Sequence, residues 1–210
     1  MANVVRILLL GKTGVGKSSF INYFLGKDVA AAGAGKPCTQ ELTKYVLNEW
    51  PDTSIELYDS KGLEVKDADN WTQQIVKELE EKSRLDFTER YHTIFYCISA
   101  QKKIEIYEEK TLKELQKAAD QPIHVILTHC DDISDDVLEE REMYLKNNIS
   151  KTLCVYRITS IDKTKRNGTT IKKSGREEVV DGVFNLLWQD VISIMADKVA
   201  EDVVSQVEYA

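Results

Sequence analysis

Residues 11–18 read Gly-Lys-Thr-Gly-Val-Gly-Lys-Ser, a full match to the phosphate-loop pattern Gly-x4-Gly-Lys-Ser/Thr, and this stretch limits the fold more than any other. Its flanks agree with it. Val4–Leu10 is an apolar run suited to a buried strand, and Ser18–Leu25 opens a helix that Gly26 stops. Gly11 and Gly16 permit close backbone approaches that a Cβ would block, so successive N–H groups can wrap a phosphate at the positive end of the helix. Lys17 can reach the outer phosphates of a nucleotide, and the Ser18 hydroxyl can ligate Mg2+.

Composition narrows the class. At 210 residues the chain suits one domain with a substantial core. Its formal charge of −7, with no basic block, argues against a large nucleic-acid footprint. Cys38, Cys97, Cys130 and Cys154 are widely spaced and form no Cys-x-x-Cys pair, which reads as reduced thiols in a cytoplasmic protein. The first apolar run ends at Gly11, too early for a signal peptide, and no run is long enough to span a bilayer.

Strand-like and helix-like segments alternate, the pattern of helices packed on a mostly parallel sheet. Strands are expected at Val4–Leu10, Thr43–Asn48, Ser54–Tyr58, Thr93–Ile98, Ile123–Thr128 and Leu153–Ile158. Only Trp50-Pro51-Asp52-Thr53 separates the second from the third, enough for a hairpin but not for a crossover helix, so this pair is expected to be antiparallel. Helices are expected at Lys17–Leu25, Asn70–Ser83, Ile106–Ala119, Asp135–Asn147 and from Arg176 onward, the second capped by Asp69 or Asn70. Ala30–Gly35, small and glycine-bearing, reads as a mobile loop beside the phosphate site, where a switch would lie. Gln73–Arg84 reads as a solvated helix face. His92 and His124 flank core strands without metal-ligand spacing. Lys163–Lys173 is a basic loop that either touches a partner or is simply flexible.

Three further sites carry chemistry. Asp59-Ser60-Lys61-Gly62 follows a strand, at the edge where open α/β sheets bind ligands; the aspartate can hold Mg2+ through a water and Gly62 can donate its N–H to a γ-phosphate. Thr128-His129-Cys130-Asp131 ends another strand. Its Asp131 carboxylate can accept from guanine N1–H and the N2 amine, a donor pair adenine lacks, although Asp131, Asp132 and Asp135 could also form a helix-capping cluster. Thr159-Ser160-Ile161-Asp162 follows the last strand, and its backbone can meet the guanine carbonyl.

Taken together these residues resemble the translation-factor-related class of GTP-binding domains, nearest its Era-like and septin-like branches and small bacterial GTPases of that type, over about residues 4–190. The resemblance implies an α/β fold: a three-layer P-loop G domain over residues 1–190, with a six-stranded, mostly parallel sheet, one antiparallel edge hairpin, and a helical extension over residues 191–210. It implies guanine nucleotide, GTP or GDP, with Mg2+ as cofactor. Gly11, Thr13, Gly14, Val15, Gly16, Lys17, Ser18 and Ser19 fit the phosphate loop. Thr39 fits the switch threonine that completes Mg2+ coordination alongside Ser18 and Asp59, with Thr43 a poorer substitute because it begins a strand. Asp59 and Gly62 fit the second switch, Thr128, His129 and Asp131 the base site, and Ser160 with Ile161 the last loop. Lys17, Thr39 and Gly62 are the residues on which catalysis would rest.

The departures from the pattern shape the functional expectation. His129 stands where the family has a lysine whose stem lies over the purine, and Lys61 where a proline is common. Ile161 replaces a small alanine, and Gly14 an asparagine of potassium-activated relatives, which disfavours potassium activation. Leu63 stands where Ras-like enzymes place a water-orienting glutamine, and no arginine finger is evident, so hydrolysis is expected to be slow and to need a protein activator or self-association. A nucleotide-holding scaffold with negligible turnover is the alternative, and an ATPase is disfavoured by Asp131. Apolar residues recur at helical spacing from Val180 to Val207. The stretch to about Trp188 is expected to close the domain; the remainder is a longer closing helix, or a docking helix for an effector or a homodimer, or the start of a second domain, and its acidic flank disfavours an anionic membrane surface.

Overall fold

The apolar run ahead of the phosphate loop forms strand β1 (Asn3–Gly11), the third strand of a six-stranded sheet ordered β2-β3-β1-β4-β5-β6. The computed structural model describes residues 3–30, 42–50, 53–120, 122–185 and 188. The other strands are β2 (Thr43–Trp50), β3 (Thr53–Asp59), β4 (Thr93–Ser99), β5 (Ile123–Thr128) and β6 (Cys154–Arg157). All pairings in this sheet are parallel except β2 with β3, so the short connection does make an antiparallel edge hairpin. Helices α1 (Lys17–Leu25), α2 (Ala68–Ser83), α3 (Ile106–Ala118) and α4 (Asp135–Asn148) form the connections.

The central strands bury every position, as parallel strands covered on both faces should. On one face Leu8, Leu10, Tyr96, Val125 and Leu127 pack against Ile75 and Leu79 of α2, Leu112 and Leu115 of α3, and Leu138 and Leu145 of α4. On the other, Phe20 and Phe24 of α1 meet Phe95 of β4 at ring-centroid distances of 5.8 and 5.7 Å, both edge-on. His124 is fully buried on β5 between Phe95 and Tyr156, and burial lowers its pKa to about 4, which makes it a neutral core ring.

Two local expectations fail. Helix α2 starts earlier than Asn70, because a single 3-10 turn over Val65–Asp67 winds straight into it. Asp67 holds the N-cap position, and Asn70 donates Nδ2 to Asp67 Oδ1 at 3.2 Å instead of capping. The basic stretch at 163–173 is not a plain loop. It contains a two-stranded antiparallel hairpin, β7 (Lys163–Thr164) and β8 (Thr170–Ile171), closed by Lys165 N–H on the Thr169 carbonyl at 2.8 Å with Gly168 at φ 84°. Helix α3 opens with a reciprocal capping box in which Glu105 replaces the usual hydroxyl residue, a variant the sequence pattern hides.

The chain divides into two compact units, residues 1–176 and 177–210. Helical backbone runs over residues 176–185, where a closing helix was expected. The extension expected over 191–210 lies outside the described residues, as do Thr39 and most of Ala30–Gly35.

Phe95 joins both aromatic contacts of α1 to the sheet, so Phe95→Ala is predicted to cost about 3–5 kcal/mol in chemical denaturation. A loss under about 1 kcal/mol would contradict this packing.

Candidate functional site

The register brings chemistry to one sheet edge. Leu9 of β1 is level with Asp59 of β3, Gly11 with Cys97 of β4, and Ser99 of β4 with Thr128 of β5. Every sequence-predicted site residue within the described set lies at or just after the C-terminal end of one of these strands or of β6, the edge at which α/β sheets bind ligands.

The phosphate loop runs from Gly11 to the first turn of α1. Gly16 has φ 93°, and a Cβ there would sit 2.8 Å from His129 Cε1, so both conformation and space demand glycine. The buried Lys17 ammonium donates to the carbonyls of Gly11 at 3.0 Å and Lys12 at 3.3 Å. Burial lowers its pKa, against the pull of Asp59. Thr128 donates its hydroxyl to the Val15 carbonyl, tying the loop to β5, so this side chain anchors the loop. Lys12 is turned outward, paired with Glu105 at 2.9 Å and lying over the Tyr107 ring.

Asp59 is 4% exposed, and its Oδ1, like Ser60 Oγ, is buried without a hydrogen-bond partner among the described residues. Burial pushes its pKa up to about 6, opposed by Lys17. A desolvated, unpaired carboxylate oxygen on this edge fits a hydrated Mg2+, with the half-buried Ser18 as a second oxygen ligand. Gly62 lies directly on the loop: a Cβ would stand 2.8 Å from Thr13 Cα. Thr13 N–H donates to Leu63 O and Leu63 N–H to Gly11 O, each at 3.1 Å. Leu63 is fully buried, in the same core cluster as Trp71.

At the other end, Gly16, Ser19, Thr128, His129, Asp131, Ser160 and Ile161 line one cavity of about 210 Å³. His129 takes a left-handed backbone (φ 56°) and lays its ring against Gly16, with Nδ1 3.2 Å from Thr128 Oγ1. Ile161 is 62% exposed at the rim. Asp162, from the motif after the last strand, also lines it, and two further lining residues, Gln101 and Lys163, carry no site motif in the sequence. Lys163 belonged to the basic stretch, but only the hairpin turns it inward.

Residues 6–129 match the family described as 50S ribosome-binding GTPase. Among curated proteins, GTPase Der of Persephonella marina is 23% identical over 192 residues, covering 90% of this chain and 41% of that protein. The chain thus spans less than half the length of this relative. Among solved structures, an Aquifex aeolicus Era variant bound to GDP and aluminium fluoride aligns with TM-score 0.67 and 19% identity, over 88% of this chain and 57% of that one. Toc33 from Arabidopsis thaliana with Mg2+ and GMPPNP aligns with TM-score 0.66 and 15% identity, over 90% and 86%. These likenesses share the fold.

The raised Asp59 pKa means the folded, metal-free protein holds an extra proton between pH 3.8 and about 6. The Asp59 contribution to stability should therefore be lost as pH rises through that window, while the lowered pKa values of the buried His92 and His124 rings act in the opposite direction. Asp59→Asn should remove this contribution, so that the variant gains on wild type as pH rises through the window and is more stable at pH 7.5 by on the order of 1–3 kcal/mol, a few degrees in Tm by calorimetry. A variant that melts below wild type at pH 7.5 would contradict this reading of Asp59.

Proposed function

We propose that this chain, which belongs to the family of 50S ribosome-binding GTPases, is a switch that binds GTP with Mg2+ and hydrolyses it slowly to GDP and phosphate. The observation that carries the proposal is one sheet edge with a buried cation at one end and an acidic base-sized cavity at the other. Lys17 and the loop amides would take the phosphates, and Asp131, 12% exposed in its side chain, would accept from guanine N1–H and N2. Ser18 and Asp59, with Thr39, would hold Mg2+, which would neutralise charge on the phosphates. His129 would lie against the purine in place of a lysine stem, and Ser160 with Ile161 would close the cavity rim.

Catalysis would rest on Lys17, Thr39 and the Gly62 N–H, stabilising charge on the transferred group rather than abstracting a proton. The buried Leu63 side chain supports slow turnover, since it offers nothing to orient water at the loop. An activating protein or a second copy would supply that order. The same observation favours the second reading, a nucleotide-holding module with negligible turnover. The unpaired thiols of Cys97, Cys130 and Cys154 support a cytoplasmic setting, and no described helix is long and apolar enough to cross a membrane.

Asp131→Ala is predicted to weaken GDP binding about 10- to 100-fold and leave ADP binding unchanged, read by calorimetric titration with Mg2+. An unaltered preference between the bases would contradict the base assignment. Multiple-turnover phosphate release from GTP should be slow and should rise with protein or partner concentration. Fast, concentration-independent release by the monomer would contradict assisted hydrolysis, and none at all would favour the holding module.

A further inference from the structure

We infer that Lys163 is an internal competitor for the base-reading carboxylate: in the free protein its ammonium holds Asp131, and guanine must displace it to bind. The inference rests on the proposal that Asp131 reads guanine. Lys163 Nζ donates to Asp131 Oδ2 at 2.8 Å and also to Asp132 Oδ2. It lines the same cavity as Gly16, His129 and Asp131.

The lysine is delivered by a closed structure. Asp162 accepts from the Lys173 N–H at 2.8 Å and lies 3.4 Å from Lys172 Nζ, tying the base of the hairpin. The Lys165–Thr169 and Gly168–Lys165 backbone bonds, at 2.8 and 2.9 Å, close its tip. The β7 strand therefore starts beside Asp131 with its first side chain on that carboxylate.

The chemistry is competitive. Guanine presents N1–H and an amino group, all donors, and an ammonium presents donors only. That N1–H and amino group cannot pair with the ammonium, and both seek Asp131. Asp132 gives Lys163 a second acceptor, and Lys165 lies 3.8 Å from its other oxygen, so the exchange breaks one bond while Lys163 keeps another. The Asp131 and Asp132 contacts raise the Lys163 pKa, so the lysine stays charged near neutrality and the competition responds to salt rather than pH. Lys163 is about half exposed, and ion pairs of that kind are weak, which limits the effect to about two- to fivefold in apparent affinity.

The test titrates GDP and ADP, with Mg2+, into the full chain, Lys163→Met, Lys163→Arg and Asp131→Ala, and reads the GDP/ADP affinity ratio. Using the ratio removes the general effect of deleting a positive charge and reports an intact phosphate site. Lys163→Met should raise the ratio about two- to fivefold at low salt, Lys163→Arg should match wild type, and the gain should vanish near about 1 M KCl. If Asp131→Ala abolishes the guanine preference but Lys163→Met leaves the ratio unchanged or lowers it, Lys163 is not a competitor and the inference falls alone. If Asp131→Ala leaves the preference intact, the base-site reading fails and the inference falls with it.

Discussion

A buried ammonium organises the site. Lys17 is drawn under the phosphate loop by the carbonyls of Gly11 and Lys12, and burial disfavours its charge. Its countercharge Asp59 is desolvated too, with one oxygen unpaired, and is pushed towards protonation. Each charge is thus half satisfied, an arrangement that costs free energy in the unliganded protein. A polyphosphate on Lys17 and a cation on Asp59 would relieve both costs together, which gives the loop a physical reason to bind a metal–nucleotide pair rather than either alone.

The loop is held from three directions. Thr128 fixes the Val15 carbonyl from β5, His129 packs on Gly16, and the Gly62–Leu63 segment is bonded to Gly11 and Thr13. The last contact continues into the helical layer, because Leu63 sits in the core and Trp71 of α2 donates its indole N–H to the Lys61 carbonyl at 2.9 Å. The 61–63 segment is therefore both a contact of the Gly11–Ser18 loop and an anchor of α2. A displacement of Gly62 by a bound phosphate would bear on that helix, the kind of bistable contact through which nucleotide state reaches a surface.

Much of this was legible in the residues. Val4–Leu10, Ile123–Thr128 and the loop between Gly11 and Ser18 carry patterns of apolar runs and glycines that follow from burial on both sheet faces and from wrapping an anion. The short gap after Trp50 dictated an antiparallel pair by chain geometry. What escaped was set by local contacts without sequence periodicity. The start of α2 depends on a 3-10 turn, and the α3 cap uses Glu105 where a hydroxyl is usual. The β7–β8 hairpin has two residues per strand, too few for alternation to register, and Gln101 reaches the cavity only because β4 and β5 end side by side. Leu63 could be seen as a missing glutamine, but its turn into the core is a packing outcome.

The central claim is that a single nucleotide spans this edge, with phosphates on the loop after β1 and the base beside Asp131. Amide hydrogen exchange with saturating GDP or ADP, each with Mg2+, tests it most directly. GDP should protect residues 11–19 together with 128–131 and 160–163, while ADP, at matched occupancy, should protect the first segment and leave the other two as in the free protein. Protection by GDP confined to residues 11–19, or identical protection by the two nucleotides, would contradict the account.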